Sequence, residues 1–165
     1  QIQGYSLVFG LITLVMIFAF GSVRVGILGM VPNLFPIVLC LGLMGWMHWH
    51  LDYLRLMMAT IAIGIAVDDT IHMVSRLRHE FMRSGNYQTA VTEAMAGVGP
   101  ALVATTVILT LSFMSFLLSG MAVMASFGVL LALAIVAALL ADLFLLPVLV
   151  LKLRPFGPEF KTAAV

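Results

Sequence analysis

Apolar residues fall in five long runs, at 2–20, 26–47, 56–74, 101–118 and 125–150, and polar residues collect between them. A helix rises 1.5 Å per residue, so about 20 apolar residues cross the roughly 30 Å hydrocarbon core of a bilayer. Each run is of that order. The pattern predicts an all-α integral membrane protein, a bundle of about five transmembrane helices. The second run holds Pro32 and Pro36, which a membrane helix tolerates where neighbours satisfy the freed carbonyls.

The longest polar interval, 75–100, has a pattern of its own. Asn86 is placed to cap a short helix over 86–96, with Tyr87, Ala90, Val91, Ala94 and Met95 along one face. Gln88, Thr89, Thr92 and Glu93 fall towards the other face, and Gly97, Gly99 and Pro100 are expected to end the helix. The expectation is a short cytoplasmic amphipathic helix on the membrane surface, before the fourth span. Residues 152–165 are expected to form a cytoplasmic tail.

Charge orients the bundle. Arg24, then Arg76, Arg78 and Arg83, then Lys152, Arg154 and Lys161 lie in alternate connections, which leaves Arg55 by itself on the other side. Lys and Arg in short loops stay cytoplasmic, so the C-terminus is expected in the cytoplasm and the N-terminus outside. A chain that starts outside implies an earlier span, so a missing N-terminal part of the same protein is an expected partner. The start Gln-Ile-Gln does not have the form of a signal peptide.

Composition agrees: the 165 residues are 63% hydrophobic and 9% charged, with a mean hydropathy of +1.19. That excludes an ordinary soluble domain. A net charge of +1 supplies no field for binding nucleic acid. The single cysteine, Cys40, lies in an apolar run and reads as packing.

The chemistry concentrates at Asp68 and Asp69. Asp68 lies about 18 Å into the third span from Leu56 and about 12 Å from Arg76 at the helical rise, so the pair sits near mid-membrane. A charged Asp there costs about 2.5 to 3.5 kcal/mol even on a lenient insertion scale, which makes function the default reading. Two neighbouring carboxylates in a low dielectric cannot both ionise cheaply, so they should titrate as a coupled unit. A proton gained or lost there changes the local charge enough to bias helix packing.

Other polar residues are weaker candidates. Adjacent helix positions point about 100° apart, and His72, three and four residues on, can approach either aspartate as a relay group or simply bond a carbonyl. Asp142, about 15 Å before Lys152, has a similar depth and reads equally as a relay neighbour or as a pin between helices. Pro147 frees the Leu143 carbonyl close by. Thr105, Thr106 and Thr110 offer hydroxyls that more often serve as packing glue, and Ala62, Gly64 and Ala66 permit close helix approach. His48, His50 and Asp52 have the residue types of a metal cluster, yet with Trp46, Trp49 and Tyr53 they fit an interfacial belt better. No metal or cofactor is expected. An intramembrane aspartyl protease is disfavoured, because Ile65 and Val67 stand where a Gly-x-Gly-Asp motif places its glycines before Asp68.

Gly64-Ile-Ala-Val-Asp68-Asp69-Thr70-Ile-His72 resembles the fourth-helix signature of each repeat in the resistance-nodulation-division (RND) transporter superfamily. Ala90-Val91, Val98-Gly99-Pro100-Ala101-Leu102 with Thr105-Thr106, and Ala141-Asp142-Leu143 with Leu146-Pro147 are similar to the stretches that follow it. The wording Val-Asp-Asp-Thr-Ile-His looks most like the second repeat of the MMPL, Patched and sterol-sensing-domain branch. The resemblance implies spans two to six of a six-helix repeat, with Asp68 and Asp69 as the proton relay. His72, Thr105, Thr106 and Asp142 remain candidate partners. It also implies an exporter of lipids or other hydrophobic molecules, not an enzyme, in a bacterial inner membrane, with lipids, protons and a hydrophobic substrate as partners. Assembly into a homo-oligomer stays open. A Lys that drug-efflux members carry in their tenth span has no counterpart here. The alternative reading is a sterol-sensing-like lipid-binding or assembly module that moves nothing.

Overall fold

The computed structural model describes residues 2–47 and 53–160, helical apart from short turns and the segment 154–160. The order is α1 (Ile2–Phe20), α2 (Val23–Trp46), α3 (Tyr53–Ser84), α4 (Tyr87–Met114), α5 (Ala122–Leu140) and α6 (Leu146–Leu153). A 3-10 turn, Ser115–Leu118, prolongs α4. A π-helical turn, Ala141–Leu145, joins α5 to α6. The chain therefore forms five rods. Among the described residues, Val23–Trp46, Tyr87–Leu118 and Ala122–Leu153 are long and apolar enough to cross a membrane, and α1 adds the apolar stretch Leu7–Phe20. The remaining rod, α3, carries Asp68 and Asp69.

Consecutive rods pack side by side, and α5 also contacts α2 and α3. The rod Ala122–Leu153 forms the centre: 61% of its apolar window is buried, against 11% for Tyr87–Leu118. Leu7, Leu11, Leu14 and Phe18 make an outward stripe along α1 at helical spacing. In a membrane protein such a stripe faces lipid. One core cluster joins Met30, Met73, Val74, Leu77, Phe81, Tyr87, Leu146 and Val150 towards the end where α1 meets α2. A second joins Cys40, Met44, Met58, Phe127, Leu131 and Ile135 towards the other end. Each of α2, α3 and the last rod carries a buried polar residue beside members of the first cluster: Asn33, Thr70 and Asp142.

Small residues set the closest approaches. A Cβ on Gly26 would lie 2.7 Å from Ile17 Cγ1 and 2.9 Å from its Cα, so α2 meets the backbone of α1 there. A Cβ on Gly128 would run into the Phe113 carbonyl of α4.

The 75–100 interval departs from the loop expected for it. α3 and α4 run through it from both sides and leave only Gly85 and Asn86 as a turn. Gly85 takes φ +68° and donates to the Phe81 carbonyl at 2.8 Å, and the Asn86 side chain accepts from Thr89 N at 3.1 Å. The segment 86–96 is helical, as expected, but is not separate from the span that follows. It forms the first turns of α4, and the helix continues through Gly97, Gly99 and Pro100. Pro100 removes one backbone donor without forcing a break, and Gly97 packs near the Arg76 guanidinium, which a Cβ would meet at an ordinary contact of 3.5 Å. The apolar face expected to meet lipid headgroups is covered by protein instead: Tyr87, Ala90 and Ala94 are buried in the first core cluster.

The segment after α6 folds back on this hairpin. Tyr87 Oη donates to the Gly157 carbonyl at 2.9 Å and accepts from Phe156 N at 2.9 Å, while Phe160 N donates to the Gly85 carbonyl at 3.1 Å. Phe81 stacks on Tyr87 with ring centroids 4.2 Å apart. Residues 48–52, which include His48, Trp49, His50 and Asp52 of the expected belt, and 161–165 with Lys161 lie outside the described residues.

Gly26→Ala should lower unfolding stability by about 1 to 3 kcal/mol, because backbone rather than a flexible side chain blocks the new methyl. Gly10→Ala, with open space around it, should be neutral or mildly stabilising. Denaturant titration of the detergent-solubilised protein, followed by circular dichroism, compares the two.

Candidate functional site

The two aspartates of α3 part company, as neighbouring positions on a helix must. Asp69 faces inwards and is buried at 9% exposure. Asp68 points out of the bundle, its side chain 75% exposed, and its Oδ1 lies 3.9 Å from His72 Nε2 on the same outer face. His72 therefore accompanies Asp68. The pair does not form one compact site within these five rods.

The inward side meets the last rod. Asp142 is buried to 1% exposure. It sits in the π-helical turn, where Leu146 N donates to the Ala141 carbonyl five residues back. Pro147 explains the location: it lacks an N–H and its ring crowds the Leu143 carbonyl, so the helix widens just before it.

Thr70 ties this turn to two other rods. Its hydroxyl lies 2.8 Å from Asp142 Oδ1, 3.1 Å from Asn33 Oδ1 and 3.0 Å from the Ala66 carbonyl of its own helix. Asn33 Nδ2 in turn donates to the Gly29 carbonyl at 3.1 Å, which orients the amide with Oδ1 towards Thr70. Thr70 and Asn33 are at most 1% exposed. The result is a dry polar chain across three rods, Asn33 to Thr70 to Asp142. The second carboxylate oxygen of Asp142, Oδ2, has no hydrogen-bond partner among the described residues.

The threonines of α4 separate. Thr106 is buried, and its hydroxyl has no partner among the described residues. Thr105 is exposed and returns its hydroxyl to the Ala101 and Leu102 carbonyls, at 3.2 and 3.0 Å. The structure thus turns both Asp69 and Asp142 inwards and leaves Asp68, His72 and Thr105 on outer faces. Sequence reasoning passed over Thr70 and Asn33. Both had a signal: Thr70 belongs to the Asp-Asp-Thr motif, and Asn33 is an amide inside an apolar run, which must find an internal partner. Among the described residues, no group of three His, Cys, Asp or Glu side chains is placed to hold a metal ion.

Thr70→Val keeps the shape but leaves the carboxylate and the amide oxygen without their donor, so it should cost about 1 to 3 kcal/mol of stability. Thr70→Ser should retain most of the wild-type value. Denaturant unfolding of both variants measures the difference.

Comparison with known proteins places the chain. Residues 6–162 match the MMPL family. Over 150 residues the chain is 27% identical to "Putative membrane protein MJ1562" of Methanocaldococcus jannaschii, an alignment covering 90% of this chain and 39% of that protein. The chain thus spans well under half the length of this relative. No solved structure matches. The match across nearly the whole sequence, on a helical bundle with membrane-spanning rods, identifies the chain as a member of the MMPL family.

Proposed function

We propose that this chain is a membrane domain of a proton-driven RND-type exporter of lipids or other hydrophobic molecules. Asp69 and Asp142 form its proton-coupling centre, with Asp68 and His72 as outer relay groups. The observation that carries the reading is the contact of Thr70 with Asp142 on one side and Asn33 on the other. A hydroxyl has one proton to donate. When Asp142 is ionised, Thr70 donates to it. When Asp142 is protonated, the carboxyl donates to Thr70, whose own proton turns to Asn33 Oδ1 or the Ala66 carbonyl. One proton at Asp142 then changes how α3 is tied to α2, and a charge change in hydrocarbon can shift helix packing.

The charge bias supports a cytoplasmic C-terminus in a plasma membrane. The rest of the same polypeptide supplies the other spans and the surfaces that select the substrate. No enzymatic step is assigned.

Asp69→Asn and Asp142→Asn in the full-length protein should each reduce export at least tenfold while membrane insertion and abundance stay at wild-type levels. Lipid extracts of the medium from expressing cells, together with membrane immunoblots, measure both. Wild-type export by both variants would overturn proton coupling at this site, and no export by the wild type itself would favour a lipid-sensing module.

A further inference from the structure

At the end of the bundle where α1 meets α2, the described cations are mostly engaged within the protein. Arg76 pairs with Glu80 at 2.7 Å, Arg83 approaches the same carboxylate at 3.7 Å, and Arg154 lies 3.8 Å from Glu159. Arg78 donates to the Phe20 carbonyl at the end of α1. Arg24 and Lys152 have no such partner among the described residues. Arg24 differs from Lys152 in standing at a cavity.

That cavity, of about 470 Å³, lies between the start of α2 and the end of α6 and is lined by Arg24, Ile27, Leu28, Val31, Leu153 and Pro155. Its lining holds one cation, no acid and otherwise apolar side chains. Ile27, Val31 and Leu153 are 54%, 40% and 61% exposed, so its walls open outwards. Val31 stands seven residues beyond Arg24, about 10 Å deeper along the helix. The groove thus runs from a free cation at the mouth of a span into its apolar part.

We propose that this groove holds an anionic phospholipid, its phosphate on Arg24 and an acyl chain along Ile27 and Val31. The chemistry of the two ends selects this occupant. A soluble anion would satisfy Arg24 but leave the apolar wall bare, and a zwitterionic lipid would fill the wall while offering less net charge to the guanidinium. Basic pockets between helices on the cytoplasmic side suit acidic headgroups, and the clustering of cations assigns this end to that side. The bound lipid would bridge α2, which bears Asn33, and α6, which follows the Asp142 turn.

The test uses the full-length protein in nanodiscs of equal phosphatidylglycerol and phosphatidylcholine, with lipids retained on the protein counted by native mass spectrometry. The wild type should retain phosphatidylglycerol preferentially. Arg24→Gln should weaken that preference about fivefold, the effect of one cation near an anionic surface. Val31→Trp, which fills the groove, should abolish retention with Arg24 intact. Arg83→Gln, at the same end but outside the groove, should change nothing. Arg24→Gln alters an exposed side chain with no internal bond, so its fold is kept, and circular dichroism checks this. Undiminished preference in Arg24→Gln overturns the proposal. Equal loss in Arg83→Gln overturns it in favour of a diffuse positive surface. Displacement of the lipid by millimolar inorganic phosphate overturns it in favour of a free-anion site.

Discussion

A carboxyl group inside a membrane bundle has no water to replace a missing hydrogen bond, so its surroundings must be arranged around it. Asp142 is that group here. Its bond from Thr70, and the contact of Thr70 with Asn33, tie the last rod to α3 and α2 among the residues of the first apolar cluster. The π-helical turn belongs to the same arrangement. Pro147 makes the helix widen, and the widened turn carries the carboxylate.

The remaining packing holds those three rods in register. α5 contributes a central surface of small and medium apolar residues, Ala134, Ala137 and Ala138 among them, that lets neighbours come close. Gly26 and Gly128 bring α1 and α4 against adjacent rods where any larger residue would collide with backbone. At the cationic end, α3 and α4 extend as a hairpin, and the segment 154–160 closes over it through Tyr87 and an aromatic group of Phe81, Phe156 and Phe160. Asp68 and His72 stay on an outer face of α3. In the proposed mechanism the two aspartates have different duties for that reason, one inside the bundle and one at its surface.

Much of the fold was legible from hydrophobic run length, because a bilayer demands some 20 apolar residues per crossing whatever the partners. The intramembrane cost of Asp69 and Asp142 was legible for the same reason. The region 75–100 was misread, because Gly and Pro usually stop helices in isolation. Here α4 runs on through Gly97, Gly99 and Pro100, and tertiary packing outweighs the local preference. The face of Tyr87, Ala90 and Ala94 was correctly seen as apolar, yet periodicity could not tell lipid from protein as its cover.

By itself the sequence determined the membrane class and the all-α architecture, since both follow from the length of apolar runs against a bilayer of fixed thickness. Only the tertiary structure decided which carboxylates turn inwards. Helical rotation separates Asp68 from Asp69 by a fixed angle, but which of the two turns inwards depends on how α3 packs against α2 and α5. The roles of Thr70 and Asn33 depend on that packing too, because a hydroxyl and an amide gain meaning from the partner across the interface, 72 and 37 residues away in the chain.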